Sequence, residues 1–122
     1  MAEHNNLGAL GETVARRYLE SNDYLILETN WRFGKLEADI IACKEGQIVF
    51  IEVKTRTTDY YGDPEDFVDR KKQKAYIRLA NAYILGNDRT EEARFDIISI
   101  IVGGPEQEPQ VKHIVNAFTT IG

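Results

Sequence analysis

Residues 36–56, LEADIIACKEGQIVFIEVKTR, decide the fold. Two mainly apolar segments flank Glu45-Gly46, which can form a two-residue turn although Glu-Gly is not the dipeptide most favoured there. The pattern predicts a hairpin of two strands, Glu37–Lys44 and Gln47–Thr55, in which residue 44 pairs with 47, 43 with 48 and so on outward. A slip of one residue would move every side chain to the other face, so the predicted site depends on this register.

Both faces of the predicted hairpin are apolar, because side chains alternate across a strand. One face carries Ile40, Val49, Ile51 and Val53, and the other carries Ile41, Ile48 and Phe50. A sheet that is apolar on both faces needs a covering layer on each.

Two segments outside the hairpin have the helical spacing that could supply this cover. Residues 7–21 form the first predicted helix, with Asn5 or Asn6 as a possible cap. The second is predicted to begin near Pro64 and to end at Leu85. The expected apolar stripe of the first helix is Leu7, Leu10, Val14 and Tyr18. That of the second is Tyr76, Leu79, Ala80, Tyr83 and Ile84.

Three further segments are rich in β-formers and predict strands at 24–33, 93–102 and 111–117, the last at an edge of the sheet. Residues 56–63 and 103–109 are predicted to be loops. The predicted order is therefore α-β-β-β-α-β-β. This order indicates a single α/β domain over residues 1–122, with a central mixed five-stranded sheet flanked by two main helices.

Polar side chains meet at the end of the hairpin away from the turn. The predicted register places Asp39 opposite Glu52, and Glu37 opposite Lys54, all on one face. Carboxylates placed opposite each other repel, and a divalent cation would remove the conflict. Magnesium prefers oxygen ligands and is usually held by one or two carboxylates. The alternative is a set of rim salt bridges, in which Glu37–Lys54 is an ordinary cross-strand pair.

Composition limits the other possibilities. The net charge of −5 argues mildly against nucleic-acid binding, although a basic group lies between Arg70 and Arg78. The single cysteine, Cys43, excludes an internal disulfide and is expected to be a small buried apolar residue.

The start of the chain does not resemble a signal peptide and no apolar run could span a membrane, so we expect a cytoplasmic protein. His4 and His113 lack metal-like partner spacing and are not expected to be catalytic.

Several further residues have two possible interpretations. Lys71, Lys72 and Lys74 could contact nucleic-acid phosphates or form a solvated helix face. Two further residues are expected to bind nucleic acid: Arg56 could touch the substrate or have a structural loop role, and Gln73 could orient the attacking water or be solvated. Tyr60 and Tyr61 could stack on unpaired bases or pack against the second helix. Asp96 could be a further site acid or the partner of Arg94 in a salt bridge.

Five short motifs lie along nearly the full chain, at residues 8–15 (GALGETVA), 36–42 (LEADIIA), 50–56 (FIEVKTR), 94–98 (RFDII) and 113–118 (HIVNAF). Together they resemble the restriction-endonuclease-like superfamily, whose sites are of the PD-(D/E)xK type, and more closely its bacterial YraN-like family. The sequence departs from the literal Pro-Asp pattern, because Ala38 precedes Asp39.

The resemblance implies a fold akin to archaeal Holliday-junction resolvases and the tRNA-intron endonuclease-like group. It implies a catalytic set of Asp39, Glu52 and Lys54, with Glu12 of the first helix as an added acid. Asp39, Glu52 and Glu12 would bind Mg²⁺ or Mn²⁺, and Glu37 would assist.

The expected function is hydrolysis of nucleic-acid phosphodiesters, with DNA as the leading substrate. The resolvase-like resemblance suggests branched DNA and a homodimer that cuts two strands. Two alternatives remain open at this point. One is a nucleic-acid-binding module of nuclease fold with little or no catalysis, and the other is an assembly protein that pairs through an exposed edge strand.

Overall fold

Two helices and five strands make up the fold. The computed structural model describes residues 2–57, 68–104 and 106–119, and side chains from Leu7 onward. The elements are α1 (Ala2–Ser21), β1 (Leu25–Phe33), β2 (Leu36–Lys44), β3 (Gln47–Thr57), α2 (Arg70–Gly86), β4 (Glu92–Val102) and β5 (Gln110–Phe118). This order, α-β-β-β-α-β-β, and the α/β class confirm the sequence prediction.

The five strands form one mixed sheet in the order β1-β2-β3-β4-β5. Strands β3 and β4 are parallel, whereas the other neighbouring pairs are antiparallel. Only the parallel pair needs a long connection, and α2 lies within it. Strand β5 lies at one edge of the sheet, as predicted, and β1 lies at the other.

The hairpin of β2 and β3 has the predicted register. Lys44 pairs with Gln47, and the ladder continues to Ile40 with Ile51. Both turn residues have positive φ, 48° at Glu45 and 80° at Gly46, as a type I′ turn requires. The two strands then have different neighbours, because β2 continues against β1 while β3 continues against β4 as far as Thr57.

Each face of the sheet has its own core, as the apolar pattern predicted. On one face, Ile40, Val49 and Ile51 pack with Ala15 and Leu19 of α1. On the other, Ile41, Ile48 and Phe50 pack with Tyr76, Leu79, Ala80 and Tyr83 of α2. The stripe predicted for α2 is therefore confirmed, with Ile84 partly buried beside it.

The prediction for α1 was wrong in two respects. The helix begins at Ala2, so Asn5 and Asn6 lie within it and do not cap it. Its deepest residues are Ala15 and Leu19; of the predicted stripe, Val14 and Tyr18 pack beside them, whereas Leu10 is 42% exposed. The deepest residues each follow a residue of the predicted stripe by one position, so the buried face is rotated by about 100° from the predicted one.

The boundaries of α2 and β3 also differ from the prediction. Helix α2 begins at Arg70, where the Asp69 carboxylate accepts a hydrogen bond from the Lys72 backbone N–H at 2.9 Å. An aspartate at this position satisfies a helix donor, so the N-cap, rather than the earlier Pro64, marks the start. Strand β3 extends to Thr57, where a loop was expected from residue 56. Pro64, Tyr60 and Tyr61 lie outside the described residues.

Within the described ranges, neither helix combines the length and apolar character needed to cross a membrane.

Candidate active site

Glu52 is the centre of a polar cluster on the α2 side of the sheet. Its side chain is buried, with 5% of the residue exposed. Tyr76 donates from its hydroxyl to Glu52 Oε1 at 2.5 Å. The other oxygen, Oε2, lies 3.2 Å from Lys54 Nζ and also accepts a hydrogen bond from Lys72 Nζ. A buried carboxylate is thus held by three donors from β3 and α2.

These donors decide the charge of Glu52. Burial acts to raise its pKa, but hydrogen bonds from Lys72 and Tyr76 and the charges of both lysines outweigh burial and lower the pKa. For Lys72, burial acts to lower the pKa, but the hydrogen bond to Glu52 outweighs burial, so the pKa of Lys72 is raised. The pKa of Tyr76 is raised by burial and by the charge of Glu52, so its hydroxyl stays protonated and donates. Glu52 is therefore ionised at neutral pH.

Asp39 lies beside Glu52 at the point where the β2–β3 ladder ends. Its Oδ2 accepts a hydrogen bond from the Val53 backbone N–H at 2.8 Å. Beyond the last ladder pair, Ile40 with Ile51, Asp39 is the first residue of β2 and Val53 is the second residue of β3. The side chain thus replaces a backbone partner where the two strands separate. The structure brings Asp39 and Glu52 together, as the register predicted.

The two carboxyl groups differ in their tendency to ionise. The pKa of Asp39 is raised to about 7, first by burial and then by the negative charge of Glu52, with a smaller contribution from Glu12. The Val53 N–H opposes this shift without cancelling it. At neutral pH, Glu52 is therefore ionised, and Asp39 is close to the midpoint of its titration. This arrangement favours the binding of a proton or a cation by the pair.

Glu12 of α1 approaches the same pair from the other side of the sheet. Its Oε1 accepts a hydrogen bond from Asn30 Nδ2 at 3.1 Å. The preceding Gly11 is buried, and a Cβ at that position would lie 1.7 Å from Thr55 Oγ1. Only glycine permits this contact between α1 and the end of β3, and the contact explains how Glu12 comes near enough to influence Asp39.

The expected pair of Glu37 with Lys54 is wrong, because each residue has a different partner. Glu37 Oε2 accepts from Arg32 Nε at 3.0 Å, across the β1–β2 ladder in which these residues are paired. Lys54 instead binds Glu52. The reason is the separation of β2 from β3 beyond Ile40, which moves Glu37 away from the position that an extended hairpin would give it.

The predicted phosphate-contact residues lie in different surroundings. Lys72 binds Glu52, whereas Lys71 and Lys74 are exposed on α2. Gln73 donates from Nε2 to the Val68 carbonyl at 3.1 Å and so contacts the start of its own helix. Arg56 is half-buried, with NH1 3.4 Å from Ser99 Oγ.

Two members of the cluster had been assigned other roles from the sequence. Lys72 was grouped with the surface basic residues, and Tyr76 was assigned to the apolar stripe of α2. They are four residues apart and so lie on one helical face, which is the only local signal that links them. We refer to Glu12, Asp39, Glu52, Lys54, Lys72 and Tyr76 together as the Glu52 cluster.

In the described part of the chain, no group of three or more His, Cys, Asp or Glu side chains is arranged to hold a metal ion. Glu12 is bonded to Asn30, so Asp39 and Glu52 are the two carboxylates that lie side by side. The chemistry of this pair fits a hard cation such as Mg²⁺, which commonly uses one or two carboxylates and retains several waters.

A second buried acid, Asp96 of β4, lies on the α1 side of the sheet. Its Oδ2 is 2.7 Å from both Arg94 NH2 and His113 Nε2, and its Oδ1 accepts from the Asn116 N–H at 2.9 Å. His113 Nδ1 is 2.9 Å from the Tyr18 hydroxyl, and Arg94 donates to the Tyr24 hydroxyl at 2.6 Å. The Arg94–Asp96 salt bridge confirms that interpretation of Asp96. We refer to Tyr18, Tyr24, Arg94, Asp96 and His113 as the Asp96 network.

The fold and the cluster define an α/β protein with paired carboxylates and two lysines at the end of a β-hairpin. The sequence profile of a family described as "Uncharacterised protein family UPF0102" matches residues 11–100. A UPF0102 protein of Flavobacterium psychrophilum is 44% identical over 118 residues, which cover 97% of this chain and 98% of the relative. One of Bacteroides thetaiotaomicron is 45% identical, with 97% and 96% covered. One of Chlorobaculum parvum is 43% identical, with 92% and 91% covered.

The chain therefore belongs to UPF0102, which is the YraN-like family. This result confirms the family resemblance found in the sequence motifs.

Proposed function

We propose that this protein is a metal-dependent, endonuclease-like enzyme of the restriction-endonuclease-like superfamily, which hydrolyses phosphodiester bonds in nucleic acid, DNA above all. One observation supports this function most directly. Asp39 and Glu52 lie side by side, and the pKa of Asp39 is raised to about 7 by burial and by the charge of Glu52. Perturbed acids of this kind are concentrated at functional sites.

Asp39 and Glu52 would hold Mg²⁺ or Mn²⁺, with Glu12 as a third acid nearby. Their negative charges oppose each other in the folded protein, so a cation would stabilise both ionised forms. When bound, the metal would supply Lewis-acid polarisation of the phosphate and lower the pKa of a bound water.

The remaining residues have roles that follow from their contacts. Tyr76 and Lys72 hold the Glu52 carboxylate in one orientation through its two oxygens. Lys54, 3.2 Å from Glu52 and half-buried, would stabilise the negative charge that develops on the phosphate. The exposed Lys71 and Lys74 would contact the phosphate backbone without reading the sequence.

The first test combines metal binding with cleavage. Mg²⁺ and Mn²⁺ are titrated into the natural chain by calorimetry near neutral pH, and single-stranded, duplex, flapped and four-way DNA are assayed for cleavage. We expect saturable metal binding that Asp39→Asn abolishes, together with a loss of cleavage of about 1000-fold. The asparagine oxygen can still accept from the Val53 N–H, so the fold should be retained.

A matched control replaces a carboxylate outside the cluster. Glu20 is exposed on α1, and Glu20→Gln should bind metal and cleave DNA as the natural chain does. Cleavage at the natural rate by Asp39→Asn would contradict the proposed function.

A second candidate function has a specific observation in its favour. Lys54 and Lys72 already neutralise Glu52 without any metal, as they would in a nucleic-acid-binding module that has little or no catalysis. This alternative predicts DNA binding that is strong at low salt and insensitive to Mg²⁺, with no cleavage of any substrate in the panel.

A further inference from the structure

A pocket of about 190 Å³ lies between the β1–β2 turn and α2. Its apolar lining comes from Leu36, Ala75, Tyr76 and Leu79. Lys35, Glu37 and Lys72 supply its polar groups. The pocket thus combines apolar walls with a few polar groups of both signs, as sites for small planar ligands commonly do.

The pocket adjoins the Glu52 cluster and shares two residues with it. Lys72 and Tyr76 line the pocket and also bind the two oxygens of Glu52. A molecule in the pocket is therefore separated by one layer of side chains from the carboxylate pair. A nucleotide whose phosphate lies at the cluster would have its base within reach of this pocket.

The size of the pocket limits which part of a nucleic acid can enter. A cavity of about 150 Å³ holds one benzene molecule, so about 190 Å³ suits a single substituted six-membered ring. A base that remains paired and stacked in a duplex cannot enter, because its partner and its neighbours would have to enter as well.

We propose that this pocket binds one unpaired pyrimidine base of the nucleic acid, next to the phosphate at the Glu52 cluster. The protein would therefore act on single-stranded or locally unpaired substrates rather than on continuous duplex. This inference rests on the proposed function, since it needs a nucleic acid at the cluster.

The polar lining matches the edge of such a base. A pyrimidine carries carbonyl oxygens that accept hydrogen bonds, and the Lys35 ammonium can donate to them. Glu37 uses Oε2 to bind Arg32, and its second oxygen can accept from an amino group such as that of cytosine. The apolar walls would replace part of the stacking energy that an unpaired base has lost.

The test compares two DNA ligands that differ only in one base. One is a duplex with a single unpaired thymidine, and the other has an abasic residue at that position. Binding is measured by fluorescence anisotropy in buffer with EDTA, so that cleavage does not enter the result. We expect the natural chain to bind the thymidine ligand about 10-fold more tightly than the abasic one.

A pair of variants locates this difference in the pocket. Ala75→Leu places a larger side chain in the pocket without altering any residue of the Glu52 cluster, and it should bring the ratio of the two affinities close to one. Ala82→Leu, about two turns further along α2 and outside the pocket lining, should keep the natural ratio.

Three outcomes would overturn the inference. They are equal affinity of the natural chain for both ligands, survival of the difference in Ala75→Leu, and no measurable binding of either ligand. Cleavage of the same ligands with Mg²⁺ tests the proposed function separately. Metal-dependent cleavage that Asp39→Asn abolishes, combined with equal affinity for both ligands, would leave the nuclease function standing and reject the pocket.

Discussion

Two buried acids on neighbouring strands have quite different surroundings. Glu52 on β3 faces α2, and Asp96 on β4 faces α1. Both have a lowered pKa, since hydrogen bonds and positive charges outweigh the burial that acts to raise it. Asp96 is surrounded by donors, whereas Glu52 has donors on one side and a second carboxylate, Asp39, on the other.

This difference separates a structural acid from a candidate catalytic one. The Asp96 network is complete within the protein, because each carboxylate oxygen accepts from at least two groups. In the Glu52 cluster, the like charges of Asp39 and Glu52 would be relieved by a proton or a cation. A buried carboxylate is therefore a weak functional signal by itself, and a second carboxylate beside it is a stronger one.

The largest expected effect on stability comes from breaking the Asp96 network. Asp96→Asn removes the charge that Arg94 and His113 bind, and both of these side chains are largely buried. We expect a loss of about 3–5 kcal/mol in the free energy of unfolding, measured by urea denaturation.

The matching change in the other cluster should cost much less. Glu52→Gln relieves the repulsion with Asp39, and the lysines that lose their partner have side chains 29% and 37% exposed to solvent. We expect a loss of about 1 kcal/mol or less. An equal loss for the two substitutions would contradict the distinction between a structural and a functional acid.

The contributions of Asp39 and Asp96 to stability should depend on pH in opposite directions. The pKa of Asp39 rises from 3.8 to about 7 on folding, so its contribution to stability is fully present below 3.8 and is lost as the pH rises through about 7. The pKa of Asp96 is lowered from 3.8, so its contribution is present above 3.8 and is lost only as the pH falls below that value.

This opposition can be measured by comparing each natural acid with its amide. Between pH 4 and pH 8.5 without metal, we expect the natural chain to lose stability relative to Asp39→Asn, on the order of 2 kcal/mol. Saturating Mg²⁺ should remove this loss if Asp39 binds the metal. Over the same range, the difference between the natural chain and Asp96→Asn should stay nearly constant. A flat comparison for Asp39 would show that its pKa is not raised.

Helix α1 takes part in both regions, through Glu12 and Tyr18. Gly11→Ala would place a Cβ against Thr55 and push α1 away from the end of β3. We expect a loss of about 1–2 kcal/mol in thermal or urea unfolding, together with weaker metal binding as Glu12 withdraws.

Gly8 on the same helix provides the control, because a Cβ there would meet nothing within 4 Å. Gly8→Ala should stabilise the chain by roughly 0.5–1 kcal/mol through helix propensity. If both alanines had the same effect, the close contact at Gly11 would not be what positions α1.

Much of the sheet could be predicted from residues 36–56 alone. The turn dipeptide set the register from Lys44–Gln47 to Ile40–Ile51, and the alternating apolar residues identified both buried faces. The proximity of Asp39 and Glu52 followed from that register. These features depend on neighbours within one hairpin, so their determinants are local.

The other features of the site were decided by tertiary structure. Lys72 and Tyr76 reach Glu52 because α2 packs across the sheet, and their role depends on helix rotation rather than on spacing. Glu37 binds Arg32 because β2 and β3 separate beyond Ile40, where each strand gains a different neighbour. Periodic patterns specify which face of an element is buried, whereas the partners of a charged side chain depend on packing between elements distant in sequence. The sequence by itself therefore determined the sheet and its carboxylate pair, and only the tertiary structure decided which cations and hydroxyl surround that pair.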